Sequence, residues 1–240
     1  MRAALKTVEQ VTAGEALAID YAGSELLLDP AGVAYFAAER ILVVSDMHLE
    51  KGSSFARRRV FLPPYDTAAT LARLAAMAAK YDPATIVSLG DAFHDDEASE
   101  RLGSDALHAI GAIARGREMI WVTGNHDPSP PEGVPGQSVW MLALGGIVFR
   151  HIAEAQETGH EVSGHWHPCA RLVRHGRAVR RACFASDGVR LVMPSFGVFT
   201  GGLNVRDEAY AGLFHAASFR AYMLGADRVH AVGTRDLRGD

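Results

Sequence analysis

Cysteine is scarce in this chain. Cys169 and Cys183 are the only two among 240 residues, and no CxxC spacing occurs. That argues against a disulfide framework or a cysteine-built zinc site, and leaves two free thiols of the kind a reducing compartment keeps. Long apolar runs are missing too. No stretch approaches the roughly 20 uninterrupted apolar residues of a membrane span, and the first ten residues lack the apolar core of a secretory signal. A cytoplasmic protein with no membrane partner is expected. Nor is there an excess of one charge: 24 Lys and Arg stand against 28 Asp and Glu, a net charge of -4. No global positive field therefore advertises nucleic-acid binding, although local patches and bound cations escape that sum. Internal repeats, low-complexity tracts and linkers are also absent, so residues 1–240 read as one α/β domain.

What the chain does have is histidine, 11 of them, gathered at the ends of apolar runs. Ile41-Leu42-Val43-Val44 reads as a strand buried on both faces and is followed by Ser45-Asp46-Met47-His48. If that segment stays extended, side chains two apart leave on the same side, and Asp46 and His48 reach one point beyond the strand end. Open α/β sheets place their ligands there. Thr85–Leu89 ends in Gly90-Asp91, and Met119–Thr123 ends in Gly124-Asn125-His126-Asp127. Ile147–Arg150 delivers His151, and Val162-Ser163 delivers Gly164-His165-Trp166-His167. Five apolar runs that each end in oxygen or imidazole donors point to a metal site.

Between these runs, Glu25–Pro30 and Val33–Phe36 flank a turn and predict a hairpin. Leu49–Ala56 reads as a polar loop running into Arg57-Arg58-Arg59. Those arginines, with Lys51, are either a solvated face or contacts to a phosphate. Asp66 is a candidate N-cap for a helix reaching Lys80, with Leu71, Leu74 and Met77 on its core side. A second helix runs from Ala106 to Ala114 with Gly116 at its end. Strand–helix–strand–helix–strand implies a parallel sheet. Pro128–Gly136 reads as a loop, and from Trp140 onward tight turns predict mainly β-structure, with weak helical patterning at Glu208–Phe214 and a last hairpin over Tyr222–Val232.

Asp-x-His, Gly-Asp, Gly-Asn-His-Asp, a lone His and Gly-His-x-His, in that order over residues 41–167, resemble the calcineurin-like metallophosphoesterase superfamily. The resemblance implies an α/β fold of the four-layer αββα sandwich type, two mixed sheets flanked by helices. It also implies two divalent metal ions, Mn²⁺ first, with Fe, Zn²⁺ or Mg²⁺ as alternatives. Asp46, His48, Asp91 and His167 would hold one, and Asp91, Asn125, His151 and His165 the other. Carboxylate, amide and imidazole donors suit such metals and suit Ca²⁺ poorly. A hydroxide held between the cations would attack phosphorus in line with the leaving group. His126 would face the phosphate or protonate the leaving oxygen. Many family members follow the lone histidine with glycine, where this chain has Ile152, so His160 competes with His151 for that role.

Gly90-Asp91-Ala92-Phe93-His94 resembles the repair-nuclease branch, with His94 placed near His126. Asp46–Arg58, Leu62–Thr67 and Phe199–Asn204 resemble the ligase-associated DNA-damage-response endonucleases. That likeness implies DNA as substrate and an ATP-dependent DNA ligase, a helicase and an exonuclease as partners; Arg57, Arg58 and Lys51, placed beside the proposed metals, are the candidate substrate-binding residues. Three readings follow: a metal-dependent DNA phosphodiesterase or endonuclease, a phosphodiesterase of nucleotides or cyclic nucleotides, and a protein-binding scaffold. The acidic net charge leans toward the second, and the complete ligand set speaks against the third.

Overall fold

The structure, a computed structural model, describes residues 15–57, 59–60, 65–95, 97–128, 133–155 and 159–240, without the side chains of residues 99 and 100. Two mixed sheets lie face to face. In the first, of seven strands, the order is Leu17–Tyr21, Ser24–Leu28, Ala34–Phe36, Ile41–Val44, Thr85–Leu89, Glu118–Val122 and Gln137–Val139. Its first four strands pair antiparallel and its last four parallel. The predicted hairpin is present, with Leu28 opposite Ala34. The second sheet has ten strands, and at its centre Ile147–Arg150, His160–Ser163 and Arg190–Val192 run parallel. Antiparallel pairs close at Gly145-Gly146, His175-Gly176 and Asp187-Gly188, where tight turns predict β-structure, and the expected last hairpin turns at residues 225–228.

Apolar burial fills three interfaces. Helices Asp66–Tyr81 and Ser104–Ala114 press Leu71, Leu74, Met77, Ile110 and Ile113 onto Leu42, Val44, Ile86, Met119 and Trp121 of the first sheet. Between the sheets, Phe36, Val43, Val87, Leu89 and Val122 meet Phe149, Val162, Phe184 and Leu191. The outer face of the second sheet is covered by Val205, Tyr210, Leu213 and Phe219. There a single 3-10 turn, Glu208–Tyr210, stands where helical patterning was read. No helix among the described residues is long and apolar enough to cross a membrane. Cys169 and Cys183 are buried and unbridged.

Two local readings need correction. Lys51–Arg57 is a helix where a loop was expected. Its Gly52-Ser53-Ser54 stretch has low helix propensity and a single large apolar residue, Phe55, so neither pattern nor composition marks it. Tertiary contacts support it: the Asp66 carboxylate accepts from the Gly52 N–H at 2.8 Å, at the positive end of the helix. Asp66 is accordingly not an N-cap. It is the first helical residue of the next helix, with Tyr65 before it, and its buried carboxylate joins the two helix starts.

Candidate metal centre

The parallel strands of both sheets end at one edge. Ile41–Val44, Thr85–Leu89 and Glu118–Val122 supply Asp46 and His48, then Asp91, then Asn125 and His126. From the second sheet, Ile147–Arg150 and His160–Ser163 supply His151 and then His165 and His167. The backbone there is not extended. Asp46, His48, Asp91, His165 and His167 have φ of 52°, 45°, 46°, 69° and 45°. Asp46 and His48 therefore converge through two left-handed residues around buried Met47, and not through the strand alternation the sequence implied. Left-handed conformations cost L-residues about 1–2 kcal/mol each. Here hydrogen bonds between the loops hold them: Asp46 N–H to Gly90 O at 3.2 Å, His48 N–H to Asp91 O at 2.9 Å, and Leu49 N–H to Ala92 O at 2.9 Å.

Two donor triads result, Asp46–His48–His167 and Asp91–His151–His165, each with its ligating atoms within 4.8 Å of one another. They adjoin through Asp91, whose Oδ2 lies 3.9 Å from His48 Nε2 while its Oδ1 lies 3.4 Å from His151 Nε2. Asn125 Oδ1 is 3.0 Å from His151 Nε2. His151 Nδ1 lies 2.8 Å from Leu89 O, a partner that can only accept, so this nitrogen carries the proton. Nε2 faces Asn125, Asp91 and, at 3.3 Å, His165 Nδ1. Oxygen and imidazole donors gathered so closely can hold a cation between them. In the other triad His167 Nε2 lies 3.0 Å from Asp46 Oδ1. The donor set fits divalent transition metals.

Burial holds the His48 imidazole down to about 3, against the pull of Asp46 and Asp91, so it stays a neutral donor. Burial pushes the Asp46 and Asp91 carboxyls up, but the hydrogen bonds and charge of His167 and His151 respectively outweigh it, and both lie below the ordinary carboxylate range. His151 is raised, because Asp91 and Asp46 overcome its burial. His165 is lowered by burial and by neighbouring His151.

Glycine permits the close packing. A Cβ on Gly90, whose φ is 72°, would sit 2.4 Å from His151 Nδ1. One on Gly164 would sit 1.9 Å from Ser45 Oγ and 2.7 Å from Asp46 Oδ2. Ser45 Oγ donates to Asp46 Oδ2 at 2.6 Å, and the His165 N–H donates to the same oxygen at 3.0 Å. Buried Asp127 accepts from the Asp91 and Gly124 N–H groups on one oxygen and from Phe93 N–H on the other, at 2.9, 3.1 and 3.0 Å. A glycine beside several of the ligands, Gly164 included, signals close backbone approach in the sequence; for Asp127 and Ser45, their place next to the ligands is the only signal there.

This geometry agrees with the comparisons. A model of the calcineurin-like phosphoesterase family matches residues 39–178. The chain belongs to that family. The phosphoesterase also resembles the crystal structure of Pseudomonas putida nuclease MPE, with a TM-score of 0.69 and 28% identity, over 91% of this chain and 100% of that one. Comparison with curated proteins finds no match. The chain is thus a metal-dependent phosphoesterase with two mixed sheets and two candidate metal clusters.

The remaining predicted residues divide. His126 is at the rim with a 47% exposed side chain, its Nε2 4.0 Å from Asp91 Oδ2, and its N–H donates to Asp91 Oδ1 at 3.0 Å. The His94 ring stacks on it at 5.8 Å and 12°. His160 is at the far end of its strand against Tyr21, outside both triads. Lys51 is half-buried, with its ammonium over the Phe55 ring. Arg57 is ion-paired with Glu97. Arg58 lies outside the described residues.

Proposed function

We propose that this phosphoesterase is a binuclear phosphodiesterase acting on DNA, an endonuclease of DNA repair. The observation that carries the reading is the meeting of two donor triads through Asp91, with His126 on the open rim. The 28% identity to a nuclease over nearly the whole chain supports the choice of substrate. In this proposal Asp46, His48, Asp91 and His167 hold one cation and Asp91, Asn125, His151 and His165 the other, with Mn²⁺ the first candidate. When bound, such a pair makes water a nucleophile near neutral pH and offsets charge on the phosphoryl oxygens.

The chain's own groups do the rest. Ser45 and the His165 N–H fix the Asp46 carboxylate, while the His126 N–H and Asp127 fix the Asp91 loop. The His126 imidazole is free to reach a leaving oxygen and hand it a proton, and the stacked His94 ring limits its swing. A basic surface missed in the sequence reading supports a polyanionic substrate. The hairpin Pro168–Arg174/Arg177–Ser186 starts directly after His167 and carries Arg171, Arg174, Arg177, Arg180 and Arg181. No Asp or Glu occurs between Glu161 and Asp187. Arg171 stands opposite Arg180 and Arg174 opposite Arg177. Facing like charges are destabilising unless an anion lies across them. Asp240 pairs with Arg180 and also attracts Arg171, whereas Arg57 on the predicted rim already has Glu97. The resemblance of Asp46–Arg58 and Phe199–Asn204 supports a ligase, a helicase and an exonuclease as proposed partners.

Nicking of supercoiled plasmid, run beside hydrolysis of bis(nitrophenyl) phosphate with Mn²⁺, tests the reading. Both activities are expected. Diester hydrolysis without nicking would favour a small-molecule phosphodiesterase.

A further inference from the structure

Trp140 is the most exposed tryptophan, and with Ile152 it stands open beside His151. It is 66% exposed, and Ile152, next to His151, is 44% exposed. Both line a cavity of about 340 Å³ whose other walls include Thr123, Asn125 and His151. Topology fixes this placement. Trp140 joins Gln137–Val139, the edge of the first sheet, to Met141–Leu144, the edge of the second. In the antiparallel pair Met141 faces Arg150, so the next step sets Trp140 opposite His151. In the parallel pair Val139 lies beside Val122, and the Thr123 N–H donates to Val139 O at 2.9 Å, so Trp140 also borders the turn to Asn125. An indole anchored by two sheets is thus held open within reach of two candidate ligands of one cation.

The charge of the cavity says what enters it. Arg150 is the cation in its wall, and it is matched by Glu154 at 2.7 Å and Glu161 at 3.1 Å. Among the described residues the wall carries no spare positive charge for a second phosphate, and it offers an aromatic face and an isoleucine. A flat, uncharged, aromatic group fits. We propose that this cavity is a nucleobase subsite, in which the base next to the scissile phosphate stacks on Trp140. The inference rests on the nuclease reading for the identity of its ligand. Stacking tolerates every base, because each has a π-face, and base–aromatic stacking typically contributes about 1–3 kcal/mol, roughly 5- to 150-fold.

The test pairs kinetics with binding. A single-stranded oligonucleotide and the same strand with tetrahydrofuran abasic residues are compared as substrates. The wild type should prefer the base-bearing strand by about 5- to 150-fold. In Trp140→Ala the ratio should collapse toward one, and Trp140→Phe should keep much of it. Trp140→Ala should also lose the tryptophan quenching that deoxyadenosine 5′-monophosphate causes in the wild type and that 2-deoxyribose 5-phosphate does not. A wild type that cleaves both strands equally, or a variant that slows both alike, would overturn the subsite. Should neither strand be cleaved nor supercoiled plasmid nicked while bis(nitrophenyl) phosphate is hydrolysed, the nuclease reading fails. The quenching then decides the subsite on its own: base-dependent quenching lost in Trp140→Ala upholds it, and its absence in the wild type overturns it.

Discussion

Gly164→Ala puts a methyl group where the structure has none to spare. The added Cβ falls 1.9 Å from Ser45 Oγ, 2.7 Å from Asp46 Oδ2 and 3.1 Å from Leu89 O. All three surrounding residues are buried, so the strain must move either the serine hydroxyl or the loop that carries His165 and His167. Overpacking of this kind costs about 1–3 kcal/mol. For a chain of this size about 2 kcal/mol lowers Tm by roughly 4–8 °C. Moving Ser45 also breaks its 2.6 Å bond to Asp46 Oδ2, so the Asp46–His48–His167 triad should loosen before the Asp91 triad does. Elemental analysis should then show metal falling from two toward one per chain.

Ser45→Ala supplies the control. Alone it removes a buried hydroxyl, worth about 1 kcal/mol. With Gly164→Ala it removes the closest clashing atom, so the double variant should be more stable than the sum of the singles by about 1–2 kcal/mol. Thermal unfolding of the four proteins in the cycle measures this coupling. Strict additivity would refute the claim that Gly164 exists to let Ser45 and Asp46 approach.

Asp91→Asn should leave the fold intact and abolish the two-metal state, since this carboxylate lies between both triads; two metals retained per chain would contradict its bridging role. His126→Ala should keep both metals and lose about 10²–10⁴-fold on DNA. It should lose distinctly less on a nitrophenyl diester, whose leaving group departs unprotonated; a parallel loss of metal would make His126 a ligand. Removing Arg174, Arg177 and Arg181 should flatten the log–log salt dependence of DNA binding by about 2–3 while sparing the nitrophenyl diester. An unchanged slope would move the DNA contact elsewhere.

Much of the site was legible because its chemistry sits at element ends. Buried parallel strands read as apolar runs, and an Asp, Asn or His directly after such a run has few reasons to be there except function. The positions of Asp46, His48, Asp91, Asn125, His126, His165 and His167 at the ends of such runs follow from sequence alone. So do the two core-facing helices, since Leu71, Leu74 and Met77 recur at helical spacing. The Lys51–Arg57 helix did not, because the Asp66 carboxylate that supports it is 14 residues from Gly52.

What only the tertiary structure decided depends on register and on the packing of one sheet against the other. The choice of His151 over His160 turns on which end of a strand faces the site, and adjacency in sequence does not carry that. Left-handed backbone at Asp46, His48, Asp91, His165 and His167 is imposed by hydrogen bonds between loops far apart in the chain, against local preference. The grip of Asp127 on residues 91 and 93 and the contact of Gly164 with Ser45 are likewise long-range. Trp140 shows the limit most plainly. Its sequence neighbours mark it only as the start of β-structure, and it borders His151 and Asn125 because one residue of chain carries the fold from the edge of one sheet to the edge of the other.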